Sequence, residues 1–492
     1  MSKLFLNNLK LFLLYSFPAI LFFSYYPRIP LPFVSDSTNY ELSLPLIWLL
    51  LFSILSLKIF VKIIIKSFFN IKTAPKPPLL TLLPLLFPLY LTITILWSPN
   101  PLRAFFTSGI LWCLYITIYA TVVEFTTKKD FNKDVFLRII FYSTVIICVF
   151  CWLQCFLDIF GVKREFTLLC RGCTSAIFGF PHPSGFTIEP QFMGNLLLVP
   201  SLFCIYLICN KNKLSRIVPK KILFIISIFI ISTLFLTFSR GAIYSFLVAF
   251  LLFVLIKPNK QSLVSIAIVA MSFTFALLTQ GLFSHFSYTN DTFLTGVKKS
   301  VSQLSLGLID FSQEDPVEST EIVGEEASLS PATEKNKENS SVFSGYVEES
   351  TNIRLNFNKD TLSIIRQSPK NLVFGFGLGS AGTILYEQEK TASKKEIIQN
   401  EYFSLLLETG VLGLALCALA LIIALIFIKN FFIAQEAKLL YLIILAFALS
   451  LNFFSGLPNA LQVYLFPVFI YLVLPKKSLD LKKLRFFANF YL

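Results

Sequence analysis

The chain has 492 residues, 55% of them hydrophobic and only 14% charged, with a mean hydropathy of +0.73 and a net charge of +14. That composition excludes a soluble globular domain and indicates an all-α polytopic membrane protein. The basic excess points to nucleic acid only if it gathers on a soluble face, and placing it relative to the membrane removes that reading.

Uncharged or nearly uncharged runs of spanning length recur twelve times: 8–26, 43–65, 79–97, 104–123, 135–156, 190–209, 222–238, 242–256, 262–283, 401–428, 439–454 and 460–474. About twelve transmembrane helices are therefore expected. Lys3 and Lys10 accompany the first run without a small-residue cleavage pattern, so it reads as a retained helix. With both termini cytoplasmic, the inner segments hold 25 Lys and Arg and the short outer segments only six: Arg28, Arg103, Lys163, Arg164, Arg171 and Arg240. The asymmetry follows the positive-inside rule, and the remaining 11 basic residues lie in the long segment 284–400, which is exempt as a large translocated loop.

Three divisions result: a membrane domain over 1–283, an external loop over 284–400, and membrane helices with a basic cytoplasmic tail over 401–492. Within the loop, 310–349 is acidic, Ser-rich and poor in aromatics, the composition of a disordered insertion. The part from 352 to 400 is expected to be helical, opening with a loosely amphipathic pattern over 352–368. Pro369 ends that pattern and GFGLGSAG follows, glycines that permit a tight turn but lack a strand-to-helix nucleotide fingerprint.

Most of the cysteines fall in apolar runs and read as small buried residues, whereas Cys170 and Cys173 form C-R-G-C in an outer loop, where a disulfide or an incidental pair are both open.

The chemistry-bearing residues gather on the outer side. Arg240 is the only charge between Ile222 and Ile256, 35 residues that rise about 52 Å as helix against about 60 Å for two passes of a hydrocarbon core. The turn Ser239-Arg240-Gly241 is therefore tight, and its guanidinium either faces a partner or polar cavity or anchors the hairpin among headgroups. Glu189 precedes Pro190 at the start of the sixth run and is either a general base or a helix-dipole partner. His182, in FPHPSGF, has the unperturbed pKa for proton transfer near neutrality, or is incidental. Arg354 is a second candidate cation, and two arginines can hold a diphosphate through forked hydrogen bonds; its alternative is a solvated face. Gln399 and Asn400 begin the tenth run, as caps or as hydrogen-bonding partners of sugar hydroxyls, with Tyr402 and Ser239 as further substrate-side candidates.

FTIEPQFMGN, FSRGAIYSF, NIRLNFNKDTL, SPKNLVFGFGLGSAG and QNEYFSLLLETGVLG, in this order, resemble the O-antigen ligase and polymerase superfamily from roughly Gly161 to Gly413. The resemblance implies a bacterial plasma-membrane glycosyltransferase of GT-C-like fold. Its donor would be an undecaprenyl-diphosphate-linked glycan, used at the external face with a glycan acceptor and without metal or cofactor. A chain-length regulator or flippase of the same pathway would be a further partner. By that resemblance Arg240 and Arg354 bind the donor diphosphate, and Glu189 is the acidic member of the E-P motif. Gln399 stands where ligases usually have histidine, and glutamine cannot accept a proton. That departure favours a repeat-unit polymerase over a ligase and leaves either Glu189 or His182 as base, or a site that relies on leaving-group stabilisation by the arginines. A transporter is the rival from another class, but its polar groups should run through the membrane depth, and here they collect at one face.

Overall fold

The computed structural model describes residues 3–24, 27–35, 38–69, 82–127, 131–162, 168, 181–210, 219–286, 292–305, 309, 342–391, 393–394, 397–432, 434–453 and 465–474. The chain is almost wholly helical: α1 (Lys3–Ile20), α2 (Leu44–Phe69), α3 (Leu83–Trp97), α4 (Pro101–Thr127), α5 (Lys133–Ile159), α6 (Pro190–Cys209), α7 (Lys220–Leu236), α8 (Arg240–Ile256) and α9 (Lys260–Phe286). After these come α10 (Phe293–Leu304), α11 (Val342–Arg366), α12 (Pro369–Phe374), α13 (Ala381–Glu387), α14 (Glu401–Phe431), α15 (Ala434–Ser450) and α16 (Leu465–Val473).

Each of the twelve expected runs holds a helix. Among the described residues six of these, in α2, α4, α5, α6, α9 and α14, are long and apolar enough to cross a membrane, and α3, α7 and α8 are shorter apolar helices. The structure departs from expectation in two places. Arg28–Ser35 (β1) and Thr38–Ser43 (β2) pair antiparallel between α1 and α2, with Arg28 opposite Ser43 and Ser35 opposite Thr38. Two prolines in β1 obscure that pairing in the sequence. α11 begins at Val342, ten residues before the expected amphipathic start at Asn352. Residues 311–341, the bulk of the acidic insertion, lie outside the described residues, as do Cys170 and Cys173.

The core centres on α6. α6 is almost wholly buried whereas α14 is largely exposed, so α6 is the axis of the bundle and α14 a peripheral helix. Around α6 pack α7, α8 and α15, with Phe203, Phe235, Phe246 and Tyr206 fully buried between them. Trp48 of α2 donates its indole N–H to the Leu13 carbonyl of α1 at 2.7 Å, which removes an otherwise costly buried donor.

Gly410 (φ 66°, ψ −172°) breaks α14. A Cβ there would lie 2.3 Å from the Val373 carbonyl oxygen, so α12 occupies the space that a side chain would need. The Thr409 carbonyl at the break accepts from the Tyr90 hydroxyl at 2.8 Å, and the same hydroxyl lies 3.0 Å from the Phe374 carbonyl. α3, α12 and α14 are thereby joined through one tyrosine. Gly410→Ala is expected to cost about 1–3 kcal/mol through the left-handed backbone and the clash, and to lower the apparent melting temperature in detergent. Gly109→Ala on α4, which meets nothing within 4 Å, is the matched control and should melt like wild type. Equal melting of both variants would contradict the packing described.

Candidate functional site

Ser239-Arg240-Gly241 joins α7 to α8, and both neighbours of the arginine are fixed by close backbone approach. On one side Ser239 lies against Gly194 of α6, where an added Cβ would come within 2.6 Å of the serine Cβ. On the other, Gly241 receives the side chain of Phe453, which follows α15, and a Cβ would meet the Phe453 Cβ at 2.6 Å. The arginine side chain is therefore launched from a backbone held between α6 and the end of α15. Phe238 stands in the left-handed region (φ 48°), uncommon for a bulky residue, and its ring stacks on His182 at 5.0 Å with 7° between the planes.

His182 belongs to the loop 181–189, which the bundle grips firmly. The Gln154 side chain, fully buried on α5, accepts from the Gly185 N–H at 2.8 Å and donates to the Gly185 carbonyl at 3.0 Å. Phe186 is sandwiched between Phe23 (4.6 Å) and Phe150 (4.2 Å). Thr187 donates its hydroxyl to Ser184 O at 2.6 Å and Glu189 O at 2.8 Å, tightening the approach to α6. Neither Gln154 nor Phe186 stands out in the sequence. A glutamine within an apolar run is the one signal that could have drawn notice.

The loop carries two titratable groups with opposite fates. Burial, with the Arg240 charge as the second cause, pushes His182 down to about 3, so its imidazole is neutral under ordinary conditions. Burial raises the Glu189 carboxyl above its ordinary value, and the Gln191 hydrogen bond and the Arg354 charge offset only part of that rise. Arg240 thus acts on His182 and Arg354 acts on Glu189, so both arginines bear on a single short loop. Tyr244, one turn into α8, also feels the Arg240 charge and donates its hydroxyl to the Leu304 carbonyl at the end of α10.

Arg354 sits on α11, whose far half is anchored by a small apolar core. Ile364 packs there with Ala381, Ile384, Leu385, Ile398 and Leu407. An ion pair between Lys390 and Asp360 (3.5 Å) and the packing of α11 on α12 and α14 hold the helix further.

The remaining candidates have structural partners. Asn400 is the N-cap of α14, its side-chain oxygen accepting from the Tyr402 and Phe403 N–H groups at 3.1 and 3.3 Å. Tyr402 donates its hydroxyl to the Ala448 carbonyl of α15 at 2.7 Å, and the Glu401 N–H bonds Leu451 O at 2.9 Å. Gln399 is half-buried immediately before the cap. The start of α14 and the Arg240 turn are hence linked through the last turn of α15, by Tyr402 and Glu401 on one side and Phe453 on the other. The expected outer turn at 455–459 lies outside the described residues.

Residues 225–418 match the family model described as O-Antigen ligase. The matched stretch holds Arg240, Arg354, Gln399, Asn400 and Tyr402 and stops short of His182 and Glu189. No curated protein matches the chain.

Since Gln154 alone supplies both hydrogen bonds of Gly185 described here, Gln154→Leu leaves a buried amide and carbonyl unmet, at about 1–3 kcal/mol. A lowered apparent melting temperature is expected, with Leu153→Ala, an exposed position of α5, as control. A wild-type melt for Gln154→Leu would show that the loop is held by other means.

Proposed function

We propose that the chain, whose residues 225–418 match the family described as O-Antigen ligase, is a member of the O-antigen ligase and polymerase superfamily and acts as a repeat-unit polymerase of the bacterial plasma membrane. Its twelve apolar helices all span, with both termini cytoplasmic, and its donor is a polyprenyl-diphosphate-linked glycan. What supports the reading is that the Arg240 charge bears on His182 and the Arg354 charge on Glu189, two groups of the loop 181–189, beside a turn whose backbone Gly194 and Gly241 hold in place.

In this mechanism a hydroxyl of the acceptor sugar attacks the anomeric carbon of the donor. The new glycosidic C–O bond forms as the bond from that carbon to the diphosphate oxygen breaks, and the electron pair leaves on the diphosphate. Arg240 and Arg354 stabilise that developing charge with forked, charge-assisted hydrogen bonds. Glu189 accepts the hydroxyl proton. The opposite shifts of the two loop groups favour this division: a carboxylate raised by burial is a better base than an ordinary one, whereas an imidazole held near 3 is a poor proton acceptor. His182 then serves as a neutral ring stacked on Phe238 beside Arg240. Gln399, Asn400, Ser239 and Tyr402 border the acceptor side, with Gln399 the member whose side chain has no structural bond described above.

The arginine roles are tested in a deletion strain complemented with wild type, Arg240→Ala or Arg354→Ala. Wild type should give a ladder of lipid-linked glycan on a gel and each variant single repeat units, at equal membrane abundance. A normal ladder from both variants would sink the assignment. Long polymer left on its carrier in the deletion strain would identify a ligase instead, the activity that the matched family is described by.

A base must be deprotonated to act, so the rate should fall as pH drops through the Glu189 pKa. Because that pKa is raised, the fall should centre above the ordinary glutamate value of 4.5. Glu189→Gln should lose about 10²–10⁴-fold in rate with purified donor and acceptor, and its residual activity should be flat across that range. An unchanged acid limb in Glu189→Gln would assign the base elsewhere.

A further inference from the structure

The segment after Pro369 has a placement that its position in a long outer loop does not suggest. The Phe374 carbonyl accepts from Tyr90, and the Val373 carbonyl lies against Gly410. Tyr90 is eight residues before Ser98, where α3 gives way to the short turn 98–100 leading into α4, so the end of α12 lies roughly 12 Å beneath that turn along the helix axis. From Gly375 the chain climbs back: Gly377 lies against Ser98 and Gly379 against Arg103 of α4. The segment 369–381 therefore descends beside α3 and α14, turns at its glycines and returns.

Non-helical backbone is tolerated at membrane depth only where protein satisfies its polar groups. Here protein does. The N–H groups of Gly375, Phe376 and Gly377 bond the carbonyls of Asn371, Leu407 and Glu408 at 2.8, 3.0 and 2.8 Å. Leu378 donates to the Thr94 hydroxyl (3.2 Å), and its carbonyl accepts from Ser98 (2.8 Å). Gly379 and Ala381 donate to the Glu408 carboxylate, the latter at 3.2 Å, and the Gly379 carbonyl accepts from Asn100. These amides are consumed by the protein, which removes the glycine loop as a phosphate cradle.

The tip carries apolar side chains outward. Leu372, Val373 and Phe374 are each exposed, and no charge occurs from Asn371 to Tyr386. Their neighbours in the fold are exposed and apolar as well: Leu89 and Ile93 flank Tyr90, and Val411 follows Gly410. Leu96, Leu102 and Phe105, on either side of the 98–100 turn, continue the same surface upward. Lys370, exposed at the start of α12, can reach the headgroups while its stem stays among them.

We infer that residues 369–381 form a re-entrant wedge whose tip, Leu372-Val373-Phe374, lies among the acyl chains of the leaflet on the side of the 98–100 turn. The partner of this surface is the bilayer itself. The apolar face is continuous with the lipid-facing sides of α3 and α14, and its depth is set by their contacts with α12. This placement is independent of the proposed reaction.

The test uses the full chain in vesicles, with Val373→Trp and separately Leu372→Trp, the second guarding against a poorly folding first variant. Tyr386→Trp on α13 is the reference. Emission is read as the increment over wild type, which has four tryptophans. Phospholipids brominated on their acyl chains should quench the tip increment by about twofold or more, and iodide present on both sides should leave it unchanged. The Tyr386→Trp increment should respond to iodide. Iodide quenching of both tip variants, or quenching of neither by bromine, would overturn the wedge: the first outcome puts the tip in water or at a solvated protein face, the second beneath protein. Quenching by both agents would place it in the headgroups and overturn it too.

Discussion

The arrangement at this end of the bundle depends on how closely three backbones meet at Ser239-Arg240-Gly241. Gly194 lets the turn settle on the first turns of α6, and Gly241 lets Phe453 settle on the start of α8. A side chain at either glycine would push the turn away by about the width of a methyl group, and the guanidinium would move with it. Two residues without side chains thus place the guanidinium on which the proposed reaction relies. The same approach brings the turn under the loop 181–189, since that loop leads directly into α6.

A second constraint comes from polar backbone in an apolar setting. The bundle contains two irregular stretches of consequence, the loop 181–189 and the glycine loop after α12, and each is stabilised in the same way. Gln154 grips Gly185, while Glu408, Thr94, Ser98 and Asn100 grip residues 378–381. Where water is scarce, an unmet amide is expensive, so irregular backbone needs polar side chains beside it. That logic explains Glu408 without assigning it a part in chemistry. Its carboxylate closes the N-terminal amides of α13, with Arg103 near enough to act on its charge.

Hydropathy alone was enough to locate the helices of the twelve apolar runs, because a spanning segment announces itself through length and lack of charge. The Arg240 turn was legible for the same reason in reverse: a single charge within 35 apolar residues has few places to go. The glycines beside it were visible as letters but not as contacts, since what Gly194 and Gly241 touch lies 45 and 212 positions away. His182 shows the limit most plainly. Its residue type suggested proton transfer, and only the fold shows the burial and the neighbouring guanidinium that hold it neutral. Likewise the re-entrant course of 369–381 could not be read from a charge-free stretch that is too short to span and sits within a loop assigned to the outside. The β1–β2 pairing was hidden by prolines, which count against a strand everywhere except at an edge.

The electrostatic arrangement has a consequence for how such a site keeps its charges in order. Arg240 and Arg354 remain protonated at any working pH, so the loop between them must balance two fixed positive charges in a poorly solvated place. A second cationic side chain there would be costly, and the structure avoids it by holding His182 neutral through burial and through Arg240 itself. Glu189 supplies a single negative charge, offset toward Arg354. In the proposed reaction, permanent positive charge beside the loop would attract a diphosphate and favour a transition state in which negative charge moves onto it. Replacing His182 by a permanently charged residue would strengthen attraction for the anion but also depress the Glu189 pKa, weakening the base. In the proposed reaction a neutral histidine is therefore the state that lets anion binding and proton acceptance coexist on one short loop.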